Sequence, residues 1–200
     1  MKKNIFFKYY LLCQIIFVYL LRQIIYKLKI LGVVNMKTMS EKNEKILKII
    51  HLVAMSIWFS SLFSMFAIGL TIPNLKSADS FYYAHYINSI IDFRILTPAA
   101  IVTFLTGVIY GIFTKWKVKE NKWLKIKVVI TVLLILVGTF WLGPTLSDMT
   151  LAAEKEGVAL LNNDSYLTKL NVITWFSAIN AIILFFAIAI STFKPGNSIK

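Results

Sequence analysis

Residues 49–72 read IIHLVAMSIWFSSLFSMFAIGLTI and contain no Asp, Glu, Lys or Arg. A helix needs roughly 20 apolar residues to cross the ~30 Å hydrocarbon core of a bilayer. Lipid offers no partner to a free backbone N–H or C=O, so an uncharged stretch of this length is driven into a helix. Three more stretches share the property: 95–114 (ILTPAAIVTFLTGVIYGIFT), 128–147 (VVITVLLILVGTFWLGPTLS) and 170–193 (LNVITWFSAINAIILFFAIAISTF). The charge lies between them. The chain reads as all-α, a polytopic membrane protein with a four-helix transmembrane bundle over residues 36–200.

Composition agrees. Hydrophobic residues make up 58% of the 200, and mean hydropathy is +0.72, too apolar for a soluble domain of this size. The net charge of +13 would suggest nucleic acid in a soluble protein. Here the basic residues flank the spans, where they set topology, so the expected partner is the lipid bilayer and not nucleic acid. Cys13 is the single cysteine, which excludes an internal disulfide, a CxxC pair and any cysteine-built metal site.

Counting basic residues orients the spans. One side carries Lys37, Lys42, Lys45 and Lys48 before the first span, Lys115, Lys117, Lys119, Lys122, Lys125 and Lys127 between the second and third, and Lys194 and Lys200 after the last. The other carries only Lys76, Arg94, Lys155 and Lys169, among Asp79, Asp92, Asp148, Glu154, Glu156 and Asp164. The bias places the basic side, and both ends of the four-span core, in the cytoplasm. Trp116, Trp123 and Trp141 fit interfacial aromatics.

Residues 1–35 are hydrophobic but interrupted by Lys8, Arg22, Lys27 and Lys29. Three readings stay open: a fifth, snorkelling span, a basic amphipathic helix on the inner leaflet, or a start of translation at Met36 or Met39. Within the core, span one is expected to end at Pro73. The segment SADSFYYAHYINSIIDFR then predicts a short outer interfacial helix, capped by Asp79, with Tyr82, Tyr86, Ile90 and Phe93 on one face. Thr97-Pro98 reads as the start of span two. Gly143-Pro144 predicts a stop or kink in span three, and Asn162-Asn163-Asp164 the turn into span four. Ser56, Ser60 and Ser64 on span one, and Ala99, Thr103, Gly107 and Gly111 on span two, form small-residue stripes that let helices approach. Such faces also permit a homo-oligomer.

Few residues offer chemistry. His51 lies near the basic end of span one, with Met55, Trp58, Leu62 and Met65 continuing roughly the same face. It is a candidate axial ligand for haem b, against the simpler reading of a neutral interfacial histidine. His85 lies on the outer connection, a membrane thickness away along span one, so the two histidines make no metal site. Asn180 is expected to form an interhelical hydrogen bond. With no carboxylate in the uncharged stretches, no nucleophile–base pairing and no phosphate loop, no catalytic residue is identified, and a pump or transporter is disfavoured. A transport role would need a polar cavity lined by Ser56, Ser60 and Asn180.

From Asp92 onward the sequence resembles a bacterial family of predicted small integral membrane proteins of unknown function. The likeness rests on Asp92, Leu96-Thr97-Pro98, Thr106-Gly107, Tyr110-Gly111, Phe113-Thr114-Lys115-Trp116, Trp123 with Lys127, and Leu142-Gly143-Pro144. More distantly, His51 with Trp58-Phe59, Thr97-Pro98 with Thr106-Gly107, and Trp123-Leu124 with Lys127 are similar to HemJ-type protoporphyrinogen oxidases and CopD-type membrane domains. That likeness implies haem, with His51 as ligand. The further histidines of the HemJ pattern have no counterpart in LTIPNLKSADS or GTFWLGP. The leading expectation is a non-catalytic membrane protein of interaction or structural type with unknown ligand. Its alternative is a haem-b-binding redox protein.

Overall fold

The computed structural model describes residues 39–113 and 122–193, together with Tyr19, Gln23 and Tyr26. The readings of residues 1–35, of Trp116 and of Lys115, Lys117, Lys119, Lys194 and Lys200 lie outside the described residues. Within them, four helical runs are long and apolar enough to cross a membrane: Glu41–Asn74, Ala78–Phe113, Trp123–Asn162 and Asp164–Ser191. The architecture is all-helical, as the uncharged stretches require.

The first run is helix α1 (Glu41–Thr71), closed by a 3-10 turn at Ile72–Asn74 that carries Pro73. Ser40 caps its start, its Oγ accepting from the Asn43 N–H at 3.4 Å, with Glu41 and Glu44 in the first turn facing the positive end of the helix dipole. The second run opens at α2 (Ala78–Ile90), where Ser77, in extended conformation, is the cap residue in place of the expected Asp79. It passes through a π-helical turn (Ile91–Leu96) directly into α3 (Thr97–Phe113). Thr97 is helical, with φ −60° and ψ −49°, so the expected start at Thr97-Pro98 is instead a point inside one continuous helical run.

Span three behaves the same way. Helix α4 (Lys122–Val137) enters a π-helical turn (Gly138–Leu142) and continues as α5 (Gly143–Glu156). Proline lacks the N–H that the fourth residue back would accept, and its ring crowds that carbonyl. In both runs the π turn sits immediately ahead of the proline (Pro98, Pro144), and its wider register accommodates the missing bond without ending the helix. Gly157, at φ 57°, ends α5 and leads through a 3-10 turn to Asn163. Asn163 Oδ1 accepts from the Tyr166 N–H at 3.2 Å and starts α6 (Asp164–Phe193), the turn expected there.

Two apolar clusters hold the bundle. One, mid-bundle, joins Met55, Trp58 and Leu62 of α1, Ala99, Ala100 and Phe104 of α3, Ile135 of α4, and Ala181 and Leu184 of α6. The other, at the acidic end, joins Ile72 and Phe81 to Met149, Leu160, Tyr166 and Ile173. The span-two stripe packs inward, with Ala99, Thr103 and Gly111 buried. The span-one stripe does not: Ser56, Ser60 and Ser64 are exposed, and each hydroxyl bonds back to a carbonyl of its own helix. Close approach on α1 comes instead from Gly69, where a Cβ would collide with the Thr174 side chain of α6.

The expected short helix before span two is present as α2, but its buried face is not the aromatic one. Phe81, His85, Asn88 and Ser89 are buried, while Tyr82, Tyr86 and Ile90 are only half-buried. The inner face is polar because α5 and α6 meet it with polar groups. Ser89 and Thr150 hydroxyls share a 2.6 Å bond, and His85 Nε2 lies 2.5 Å from the Tyr166 hydroxyl.

Candidate functional site

The basic end of the bundle encloses a cavity of about 460 Å³, within the range of small-molecule pockets. All four spans contribute. Its walls are apolar and aromatic (Met55, Trp58, Phe104, Trp123, Leu184), and Lys48, His51 and Lys127 bring cationic or titratable heads to it. The sequence reading brought His51, Met55 and Trp58 to one face, and they do line this cavity together. Trp123, expected at the membrane interface, is buried on the cavity wall at the start of its span.

His51 is oriented from α3. Its Nδ1 lies 2.9 Å from Thr106 Oγ1, and that hydroxyl lies 2.6 Å from the Val102 carbonyl. A hydroxyl has one proton, and a carbonyl can only accept, so Thr106 donates to Val102 and its oxygen accepts from His51 Nδ1–H. The neutral ring therefore carries its proton on Nδ1 and a lone pair on Nε2. Gly107 lies beside the ring, where even a Cβ would meet the imidazole at an ordinary contact distance of 3.5 Å. A histidine whose Nδ1–H is fixed by the protein while Nε2 is left basic is the arrangement found in histidine ligands.

The charges around it are unbalanced. No carboxylate lines the cavity among the described residues. Glu44, at the same end, accepts from the Tyr110 hydroxyl at 2.8 Å. Lys127 donates to Ser191 Oγ at 2.5 Å, a neutral partner that leaves its charge uncompensated by that bond. Thr103 Oγ1, buried on the cavity wall, has no hydrogen-bond partner among the described residues. Lys48 was legible only as a topology signal and Lys127 as that and as part of the resemblance, because their approach to His51 depends on how α1, α3 and α4 pack.

His85 is not brought to His51. It is 1% exposed, enclosed by Phe81 and Tyr166 at the acidic end. Asn180 is buried on α6 as expected, yet its Oδ1 has no hydrogen-bond partner among the described residues, so the expected interhelical bond through that oxygen is not made. The uncharged stretches pointed to a bundle without a carboxylate, and the fold corrects this: Asp92 is 8% exposed and lines a small cavity of about 60 Å³ with Ser177 and Asn180. The stretch 95–114 begins after Asp92, but the helix that carries it begins at Ala78. The polar cavity that a transport role would need is lined by Asn180 but not by Ser56 or Ser60, which face outward. No group of three or more His, Cys, Asp or Glu side chains converges on a metal position among the described residues.

Comparison with known protein families, with curated proteins and with solved structures finds no match to this chain.

Proposed function

We propose that this chain is a multi-pass protein of the bacterial cell membrane, its basic end in the cytoplasm, that binds an apolar molecule bearing an acidic group. The role is binding rather than catalysis. The supporting observation is the apolar cavity of about 460 Å³ lined by Lys48, His51 and Lys127 without a carboxylate. An apolar body fits the aromatic walls, and an acidic head would give counter-charge to the half-buried Lys127 and the exposed Lys48. In detergent-purified protein, oleate should raise the melting temperature, and oleyl alcohol, with the same chain and no charge, should not. Lys48→Gln with Lys127→Gln should abolish the difference. Equal stabilisation by the two probes would refute an acid-selective site.

The orientation of His51 favours a second reading, that the apolar acid is haem b. The residues present fit the group: His51 would hold it through Nε2, and Lys48 and Lys127 would meet its carboxylates. When bound, haem would supply one-electron redox chemistry. The chain's part would be to hold the iron through one imidazole, fix that ring through Thr106, and exclude water with Trp58 and Phe104. Protein purified from haem-replete cells should then show a Soret band that His51→Ala removes. Colourless protein would end this reading and leave the wider class of apolar acids.

A further inference from the structure

Three cavities lie in file along α6. The outermost, at the acidic end, is lined by Asp148, Ser165 and Lys169 and reaches Ile173. Ile173 also borders the middle cavity, which Ser177 and Asn180 of α6 line together with Asp92. Trp58 closes the middle cavity on the far side and is shared with the cavity at the basic end. Neighbouring cavities thus share one lining side chain each, Ile173 and Trp58.

The middle cavity has the marks of a built site. Both π-helical turns border it: Asp92 and Leu96 come from the first, Gly138, Thr139 and Leu142 from the second. Such turns shift carbonyls out of ordinary helical pairing and recur at functional positions. Irregular backbone at membrane depth is tolerated where it lines a cavity, and in transporters it coordinates cations. The Asp92 carboxyl has no hydrogen bond or ion pair among the described residues, although its backbone carbonyl accepts from the Thr97 N–H, and an unpaired carboxylate is costly to bury. Asn180 is 6% exposed and its Oδ1 is an unpartnered acceptor. At about 60 Å³ the space is large enough for an ion with a few waters.

We propose that the middle cavity holds a single alkali-metal cation between the Asp92 carboxylate and Asn180 Oδ1, in exchange for a proton. Oxygen donors select hard cations. One carboxylate balances one positive charge, which disfavours a divalent ion. Because an isolated charge is costly to bury, Asp92 would be protonated and neutral without the cation. With it, the carboxylic acid releases H⁺ to solvent and the carboxylate binds M⁺, so charge in the cavity is conserved. No other charged side chain lines the cavity from α1, α3, α4, α5 or α6 among the described residues. Arg94, two positions on, is exposed, and His85, on the buried face of α2, bonds to Tyr166. The inference is independent of what the basic-end cavity binds.

The test uses the full chain in detergent, titrated with sodium, potassium or choline chloride at matched ionic strength, and weakly buffered with a pH dye. An alkali cation should change tryptophan emission saturably, since Trp58 borders the site, and should release up to about one proton per chain. Choline should do neither. Asp92→Asn should abolish both responses while circular dichroism and elution volume stay unchanged. Asn180→Leu should weaken the alkali-cation midpoint roughly tenfold, the scale of one lost contact to a charge. Identical curves for choline and the alkali cations would overturn the proposal, as would proton uptake and release without any cation response. Should Asp92→Asn misfold, Asn180→Leu decides alone, and an unchanged midpoint would refute the site.

Discussion

Thr106 fixes the chemistry of His51 although it offers none of its own. Because its hydroxyl donates to Val102, the imidazole has to donate through Nδ1. In Thr106→Val the ring loses its hydroxyl partner and keeps only the neighbouring Thr103 backbone, a penalty of up to about 1–3 kcal/mol if the ring stays in place. The ring should respond by reorienting or by changing tautomer. We expect the ¹⁵N shifts of His51 to leave the Nδ1–H pattern in this variant, with oleate stabilisation reduced. Unchanged shifts would show that another group orients the ring. Gly69 gives a second test at this scale. Its missing side chain admits Thr174, so Gly69→Val should destabilise the α1–α6 contact by about 1–3 kcal/mol, read as a lower melting temperature. Gly69→Val with Thr174→Ala should recover part of the loss. His51 was legible in the sequence because a histidine in an uncharged span stands out. Gly69, Thr106 and Asp92 were not, because each acquires its role from a residue on another helix.

The elements show where sequence reading and physics diverge. A Thr-Pro pair ahead of an apolar run is a fair start signal, and Thr97-Pro98 was read that way. The helix ignores it because its N-terminal extension has a face to bury: Phe81, His85, Asn88, Ser89 and Asp92 all meet α1, α5 or α6 residues inside the bundle. A start signal costs nothing to override when tertiary contacts continue past it. The expected kink at Gly143-Pro144 was closer, since the helix does change register there, through the turn at Gly138–Leu142. Shortening a π turn by one residue should return it to α geometry and rotate everything before it by about 100°. Deleting Ile95 therefore should swing Asp92, Ser89 and His85 away from their partners and sharply lower the melting temperature. Pro98→Ala, which only restores an N–H, should change stability far less. If both variants melt alike, the π register does not position the polar face.

At the scale of the molecule, polarity is arranged inside out. Large apolar side chains such as Ile57, Phe63, Leu133, Phe185 and Phe186 are exposed, while His85, Asn88, Asp92, Thr103 and Asn180 are buried. In water this would invite aggregation. In a bilayer lipid solvates the outer face, and helix association depends on packing and on polar groups turned inward. The four-span architecture was legible for that reason, since span length and the lack of charge follow from the bilayer alone. Orientation rests on a separate term, the basic excess at one end, which holds Lys48, Lys125 and Lys127, against Asp148, Glu154, Glu156 and Asp164 at the other. Cytoplasmic loops retain lysine because moving it across the membrane is unfavourable. A reporter fused after Lys119 should therefore be active only as a cytoplasmic marker, and one fused after Glu156 only as an external marker. The proposed acid site then opens toward the cytoplasm and the outermost of the three cavities toward the exterior. The reverse pattern of activities would invert both assignments, and would place the acidic end, with Asp148 and the entrance leading toward Asp92, inside the cell.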